Sequence, residues 1–183
     1  NGGAGYSEED RKNGGNGYIP ISLQYSDYTA TEAREKSLAG GDPFEPFTNR
    51  TYKNKSVATY NKTDLDLVIE TKQQMGQKPV IVSVCTRKPF VLKEIEPYAD
   101  AILINFDTQA QCILDIVKGN FEPSGLLPVQ MPANMETVEH QLEDVPLDMI
   151  PYKDSEGHLY DFAYGLNWSG IIKDKRTEKY KHN

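Results

Sequence analysis

The sequence is short of cysteine and histidine, which removes several classes of site. Only two cysteines, Cys85 and Cys112, occur among 183 residues, so no disulfide framework is predicted. The three histidines, His140, His158 and His182, are scattered, and no HxxxH or CxxC spacing occurs. We therefore predict no zinc or other metal site. The glycine-rich start lacks both the GxGxxG and the GxxxxGK[ST] spacing, and no cofactor is expected.

Positive charge and long apolar runs are also scarce. Lys and Arg number 20 against 27 Asp and Glu, which gives a formal net charge of −7. Nucleic-acid binding needs clustered cations, so we expect no nucleic-acid partner. No apolar run approaches the roughly 20 residues that span a bilayer, so we expect no membrane partner. No signal peptide is visible, and the glycine-rich opening at Asn1 predicts a piece of a longer protein.

What the chain does have is an alternation of strand and helix patterns in its middle. Pro79–Cys85 and Ala101–Phe106 are short runs rich in branched residues and apolar on both faces. Such runs are typical of parallel strands that are buried on both sides. Residues 88–98 between them suffice for a short helical crossover, and 108–118 has the periodicity of an amphipathic helix. Thr63–Met75 adds a helix before the first strand, with Thr63 as its cap.

The flanking segments carry weaker patterns. A helix over Thr29–Ala39 is predicted from a good cap and a thin apolar face. Residues 133–156 are polar and acidic, and we expect an irregular covering loop. His158–Trp168 is aromatic-rich and predicted to be extended, and residues 173–183 form a charged tail that we expect to be frayed.

Two places in the sequence could carry chemistry. Cys85 falls at the carboxyl end of its strand, where α/β proteins place active residues, but buried cysteine is the commoner explanation. The N-terminal Gly- and Asn-rich loop carries a charged cluster beside Tyr6, either for acid/base work or as a solvated surface. The residues alone favour the solvated surface. The cluster consists of Glu8, Glu9, Asp10, Arg11 and Lys12.

Three stretches resemble glycoside hydrolase family 3, in the α/β sandwich domain that lies behind its barrel. The run from Ala101 through Glu122-Pro-Ser-Gly-Leu-Leu-Pro-Val-Gln-Met-Pro132 is similar to the family's strand, helix and PSG-LP segment. Tyr160-Asp-Phe-Ala-Tyr-Gly-Leu-Asn-Trp168 resembles its closing YPFGYGLSY strand, and residues 6–13 resemble the loop that brings in the acid/base. The resemblance covers residues 1–172 and leaves 173–183 as the tail.

The resemblance implies a three-layer α/β/α sandwich that is flavodoxin-like. Its sheet is expected to be mostly parallel, with an antiparallel edge strand near the C-terminus. The family's domain normally starts earlier, so the first strands are expected to lie outside this chain. Either another chain rebuilds the full sheet or the fold is a self-sufficient remnant.

The resemblance also implies a retaining, exo-acting β-glucosidase-like enzyme that hydrolyses oligosaccharides or glucosides. Glu8 matches the acid/base position, and Glu9, which stands where the family often has glycine, is the alternative. Arg11 would position the loop or a sugar hydroxyl, and Tyr6 would stack on a sugar.

The aspartate nucleophile would lie in an N-terminal barrel that this chain lacks, so the isolated chain is expected to be inactive. Family resemblance implies a secreted or periplasmic enzyme. Two other functions remain open: a non-catalytic carbohydrate-binding or scaffolding module, and an unrelated flavodoxin-like domain that binds a nucleotide.

Overall fold

The computed structural model describes residues 6–31, 52–142 and 145–179. The described residues contain helices together with small sheets, which makes this an α/β domain. The helices are α1 (Glu8–Lys12), α2 (Lys62–Met75), α3 (Ala110–Val117), α4 (Met135–His140) and α5 (Lys175–Glu178). The strands are β1 (Tyr28–Thr29), β2 (Ser56–Val57), β3 (Ile81–Cys85), β4 (Ala101–Asn105), β5 (Leu166–Asn167) and β6 (Gly170–Ile171).

The parallel pair of β3 and β4 forms the centre of the domain, as the sequence predicts. Its register runs from Ile81 opposite Ala101 to Cys85 opposite Asn105. The predicted crossover between the two strands is present as two short 3₁₀ turns, Leu92–Glu94 and Glu96–Tyr98. Apolar residues of α2, β3 and β4 pack against a buried cluster. Its members are Tyr25, Leu65, Phe90, Leu92, Ile95, Met131 and Tyr152.

The prediction that the strands are buried on both faces is wrong for β3, whereas Ile102, Leu103 and Ile104 of β4 are all half-buried. Val82 and Val84 are half-buried against the core, but Ile81, Ser83 and Cys85 on the opposite face are exposed. The side chain of Ile81, for example, belongs to a residue that is 44% exposed. A run of branched apolar residues shows that both faces of a strand can be buried. Whether they are buried depends on the elements that pack against each face.

The predicted single, mostly parallel sheet is not found in the described ranges. Three two-stranded sheets are present instead: β1 with β2, β3 with β4, and β5 with β6. The first and last pairs are antiparallel. The expected antiparallel edge strand near the C-terminus therefore forms a hairpin of its own, and the three-layer arrangement is not confirmed.

Helix ends agree with the sequence in part. Gly76, with φ +58°, follows α2 as predicted. The prediction that Thr63 caps α2 is wrong, because the helix begins at Lys62 with Asn61 as its N-cap. The helix predicted from Thr29 is also wrong at its start, since Thr29 pairs with Ser56 in a strand. The remainder of that prediction, from residue 32 on, lies outside the described residues.

Two segments predicted to be irregular contain short helices. The expected covering loop includes α4, whose N-cap Asn134 accepts a hydrogen bond from the Thr137 amide at 2.9 Å. The expected frayed tail includes α5, where the Asp174 carboxylate accepts from the Arg176 amide at 2.8 Å. Residues 180–183 of the tail lie outside the described part. Single capping side chains decide such short helices, and hydrophobic periodicity does not detect them.

The two most specific motif stretches bind each other through the backbone. The Leu127 amide donates to the Tyr164 carbonyl at 2.7 Å, and the Met131 amide donates to the Tyr160 carbonyl at 2.9 Å. Gly165 approaches the backbone at Gly125 so closely that a Cβ there would collide with the Gly125 carbonyl. The segment around Leu127 and the segment around Tyr164 therefore pair with each other and join two distant parts of the chain.

No helix among the described residues is both long enough and apolar enough to cross a membrane.

A buried carboxylate lies among the tyrosines of the segment that pairs with Leu127 and Met131. The side chain of Asp154 is 6% exposed and accepts from the His158 ring at 2.9 Å and the His158 amide at 2.8 Å. Tyr160 and Tyr164 lie beside it with ring centroids 5.0 Å apart. Burial raises the pKa of Asp154, but the hydrogen bonds from His158 outweigh it, so the pKa lies below its ordinary value.

We expect Asp154→Asn to lower the free energy of unfolding by about 1–3 kcal/mol near neutral pH, because the His158 ring and amide lose a charged, largely buried acceptor. A carboxyl whose pKa is lowered by folding stabilises the protein above its unfolded pKa, about 3.9, and that contribution fades as the pH falls through the folded pKa. Urea unfolding at about pH 5 and about pH 3 should therefore show the gap between wild type and variant shrinking in acid. Asp66→Asn, the same change at an exposed side chain of α2, is the control. An equal gap at both pH values would contradict this role of the charge.

Candidate functional site

The N-terminal glycine-rich loop folds back on itself. Tyr6 and Tyr18 form an antiparallel bridge, and their rings meet edge to face with centroids 6.1 Å apart. The Ser7 amide donates to the Gly17 carbonyl at 2.7 Å. Gly17 has φ +86°, and a Cβ there would lie 2.6 Å from the Tyr6 ring. Glycine is required at this position because the tyrosine ring covers the backbone.

Helix α1 carries the predicted site residues. Ser7 caps it by accepting a hydrogen bond from the Asp10 amide at 3.2 Å. Acidic residues fill the first turn and basic residues the last, an order that suits the helix dipole. Five residues are too few for a helix to persist by propensity alone, so the closed loop must hold it.

Lys55 anchors this loop to the segment that leads into β2. Its ammonium donates to the Asp10 carboxylate at 2.6 Å, to the Asn16 side-chain oxygen at 2.6 Å and to the Tyr18 carbonyl at 2.8 Å. Asp10 also accepts from the Gly17 amide at 2.8 Å. The hydrogen bonds from Lys55 and Gly17 lower the pKa of Asp10. Asp10 therefore serves as an ionised anchor and not as a proton donor.

The sequence alone did not indicate Lys55, and it indicated Asp10 only as one member of the charged cluster. They stand 45 positions apart and belong to no shared motif. Glycine density and local charge identified the loop, but no local signal could identify the distant cation that closes it.

The four predicted site residues are brought together on this anchored loop. Glu8 and Glu9 are both exposed on α1. The Arg11 guanidinium donates to the Tyr6 hydroxyl at 3.2 Å, and this hydrogen bond together with the nearby carboxylate of Glu8 raises the pKa of Arg11. Glu8 and Arg11 are three positions apart and share a face of the helix. The result is a solvent-facing group of one carboxylate, one guanidinium and one aromatic ring.

The second candidate, Cys85, lies at the carboxyl end of β3 as predicted. It is exposed, so the expectation of a buried cysteine is wrong. Its thiol donates to the Asp107 carboxylate at 3.4 Å, and Arg87 binds the same carboxylate at 2.7 Å. These contacts, with Arg87 the stronger, lower the pKa of Asp107. Cys85 thus lies beside the carboxylate of Asp107, and none of its described contacts would activate its thiol as a nucleophile.

Within residues 6–31, 52–142 and 145–179, no three His, Cys, Asp or Glu side chains are grouped closely enough to hold a metal ion.

Comparison with known proteins identifies the family. Residues 23–168 match the family described as Glycosyl hydrolase family 3 C-terminal domain. The chain belongs to this family. The match begins after α1, so the loop with Glu8 and Glu9 lies outside the matched residues.

Curated relatives agree with the family. The Beta-glucosidase C of Emericella nidulans is 32% identical over 160 residues, which cover 83% of this chain and 24% of that protein. The Probable beta-glucosidase C of Aspergillus flavus is 27% identical over 157 residues, covering 84% and 24%. A Putative beta-xylosidase of Formosa agariphila is 32% identical over 158 residues, covering 78% and 20%. The chain thus spans about a quarter of the length of the relatives that it matches. No solved structure matches it.

Replacing the anchor tests how the loop is held. Lys55→Met removes the shared donor of Asp10, Asn16 and the Tyr18 carbonyl, so we expect the Ser7 and Gly17 amides to exchange with deuterium roughly tenfold faster or more. The amides of β3 and β4 should keep their protection. The same change at the exposed Lys78 is the control. Unchanged exchange in the loop would show that the loop is held by other contacts.

Proposed function

We propose that this chain is the acid/base-bearing domain of a retaining, exo-acting β-glucosidase-like enzyme. Its substrates would be glucosides or oligosaccharides, and a barrel in the same polypeptide would supply the aspartate nucleophile. The observation that carries the proposal is the exposed carboxylate of Glu8 in a member of a glycosyl hydrolase family. Glu8 lies on a short helix in the loop that Lys55 anchors.

The chemistry assigns a separate task to each side chain. In retaining glycosidases two carboxyl groups stand about 5–5.5 Å apart, one attacking the sugar while the other protonates the leaving oxygen. Glu8 would be the proton donor, and in the second step it would take a proton from the attacking water. Arg11 would hold a sugar hydroxyl or fix the loop, and Tyr6, 40% exposed, would offer an aromatic face to a sugar ring.

The acid has to hold a proton near neutral pH, and this requires apolar cover or a neighbouring carboxylate. Glu8 is exposed in this chain. The proposal therefore assigns both to the barrel, whose closed cleft would bury Glu8 beside the nucleophile. For the same reason the chain alone would be inactive. The family resemblance supports secretion or a periplasmic location for the whole enzyme.

The decisive experiment is Glu8→Gln in the complete enzyme. Removing a general acid costs roughly 10²–10⁴-fold in rate when the leaving group is poor. We expect a loss of this size in kcat/KM on cellobiose and a much smaller loss in kcat/KM on 2,4-dinitrophenyl glucoside, whose leaving group needs no proton. The kcat on the activated substrate should still fall, because the attack of water on the glycosyl-enzyme loses its base. Azide should restore turnover of the activated substrate by attacking the glycosyl-enzyme without base assistance.

Glu9→Gln is the matched control, because it makes the same change one position along the same helix. It should leave the rate within a few-fold of wild type. A leaving-group-dependent loss in Glu9→Gln alone would move the role to Glu9. Wild-type rates in both variants would remove Glu8 and Glu9 from the mechanism.

A carbohydrate-binding or scaffolding role is the second candidate, and exposed aromatic rings favour it. Phe121 is 65% exposed and Trp168 is 64% exposed. The Trp168 amide donates to the Glu122 carboxylate at 3.2 Å, which draws the two segments together. Calorimetry of the chain alone with gluco-oligosaccharides separates the candidates, since binding without a barrel would favour the module.

A further inference from the structure

The anchored N-terminal loop contains the dipeptide Asn16-Gly17, which can react with itself. When glycine follows asparagine, the glycine amide nitrogen can attack the carbonyl carbon of the asparagine side chain, because glycine has no Cβ to obstruct the approach. The reaction gives a succinimide ring and ammonia, and water then opens the ring to aspartate or isoaspartate. The fold requires glycine at position 17, since the Tyr6 ring lies where a Cβ would stand. A reactive dipeptide is therefore built into the closed loop.

Two donors bind the oxygen that would become charged in this reaction. The Lys55 ammonium donates to Asn16 Oδ1 at 2.6 Å, and the Tyr18 amide donates to the same oxygen at 3.1 Å. Negative charge develops on Oδ1 when a nucleophile adds to the carbonyl carbon. Donors that already point at such an oxygen stabilise the transition state. The side chain of Lys55 is only 24% exposed, so water screens this interaction little.

A carboxylate binds the nitrogen that would attack. The Gly17 amide donates to Asp10 Oδ2 at 2.8 Å. An amide nitrogen becomes a nucleophile as it loses its proton, and the ionised Asp10 can accept that proton. Lys55 donates to the same Asp10 oxygen at 2.6 Å. The base on the attacking nitrogen and the cation on the carbonyl oxygen are therefore in direct contact.

We propose that Asn16 is a site of self-catalysed deamidation, with Asp10 as the base and Lys55 as the acid. The Gly17 nitrogen gives its proton to Asp10 and forms a bond to Asn16 Cγ. The bond from Cγ to Nδ2 then breaks, and Nδ2 leaves as ammonia with a proton from Lys55, which Asp10 restores. Water adds to the succinimide and leaves a carboxylate at position 16. The reaction consumes only water and needs no oxidant.

The product would not fit the closed loop. In isoaspartate the main chain runs through the side chain, which adds one methylene group to the backbone at position 16. The hydrogen bond from the Ser7 amide to the Gly17 carbonyl and the bridge of Tyr6 with Tyr18 both depend on the present spacing. Deamidation would thus release the loop that carries α1. This consequence does not depend on whether Glu8 is catalytic.

The same loop contains a second dipeptide of this kind, Asn13-Gly14, which serves as an internal comparison. The Gly14 amide donates to the Arg11 carbonyl at 3.1 Å, and a carbonyl cannot take up the amide proton. Asn13 is exposed, whereas Asn16 is half-buried. Exposure alone therefore predicts faster deamidation at Asn13, and the proposal predicts faster deamidation at Asn16.

The test follows both asparagines in the 183-residue chain during incubation at neutral pH. Tandem mass spectrometry of peptides locates each deamidated residue, and the measured quantity is the rate at Asn16 divided by the rate at Asn13. In the folded chain this ratio should be at least about tenfold higher than in urea, where the contacts of the loop are absent. A folded-chain ratio equal to or below the ratio in urea would overturn the proposal, because the fold would then give no acceleration.

Asp10→Asn tests the base directly. The oxygen of an asparagine at this position can still accept hydrogen bonds from Lys55 and the Gly17 amide, but it cannot take up a proton at neutral pH. We expect the ratio of Asn16 to Asn13 deamidation in the folded variant to fall about tenfold toward the ratio in urea. An unchanged ratio would show that Asp10 is not the base and would contradict the proposal.

Two controls accompany this variant. Asp66→Asn makes the same change at an exposed side chain of α2 and should leave the ratio unaltered. Hydrogen exchange should show that the Ser7 and Gly17 amides keep their protection in Asp10→Asn, so that the slower reaction reflects the lost base and not an opened loop.

Discussion

The parallel register of β3 and β4 is the constraint on which the rest of the domain depends, and polar side chains fix both of its ends. At the start, the Asp100 carboxylate accepts from the Val80 amide at 2.7 Å and from Lys72 of α2 at 2.6 Å. At the end, the buried Asn105 amide donates to the Ser83 hydroxyl at 3.1 Å. A shift of one residue would exchange the two faces of each strand, and these contacts oppose that shift. With the register fixed, α2 and the 3₁₀ turns can bury one face.

Much of the local structure could be predicted because it depends on local patterns. The strands at Ile81–Cys85 and Ala101–Asn105 and the helix at Ala110–Val117 follow from runs and periodicity over five to eleven residues. The sequence reasoning failed where a partner from elsewhere decides. The two-residue strand at Thr29 forms because Ser56 pairs with it. The five-residue helix that begins at Glu8 is held because Lys55 anchors its loop.

The same distinction applies to the candidate site. Charge and glycine density located the loop, and resemblance selected Glu8, Glu9, Arg11 and Tyr6. Neither could reveal Lys55, because a single lysine 45 positions away leaves no pattern in sequence. The structure also assigns Asp10 to an anchoring role that its neighbours in sequence do not indicate. Residues that hold a site in place are harder to predict than residues that present chemistry, since their partners are distant.

The described surface exposes both a carboxylate and apolar side chains. Glu8 is exposed on α1, and Leu67 and Ile81 have apolar surface in contact with solvent. Cover by further chain would favour burial of the apolar side chains, whereas burying a carboxylate costs free energy unless it is paired or protonated. The core around Leu92 and Met131, both 0% exposed, has no such exposed surface. The role that we propose for Glu8 therefore depends on a partner surface that offsets this cost, which is the task that the proposal gives to the barrel.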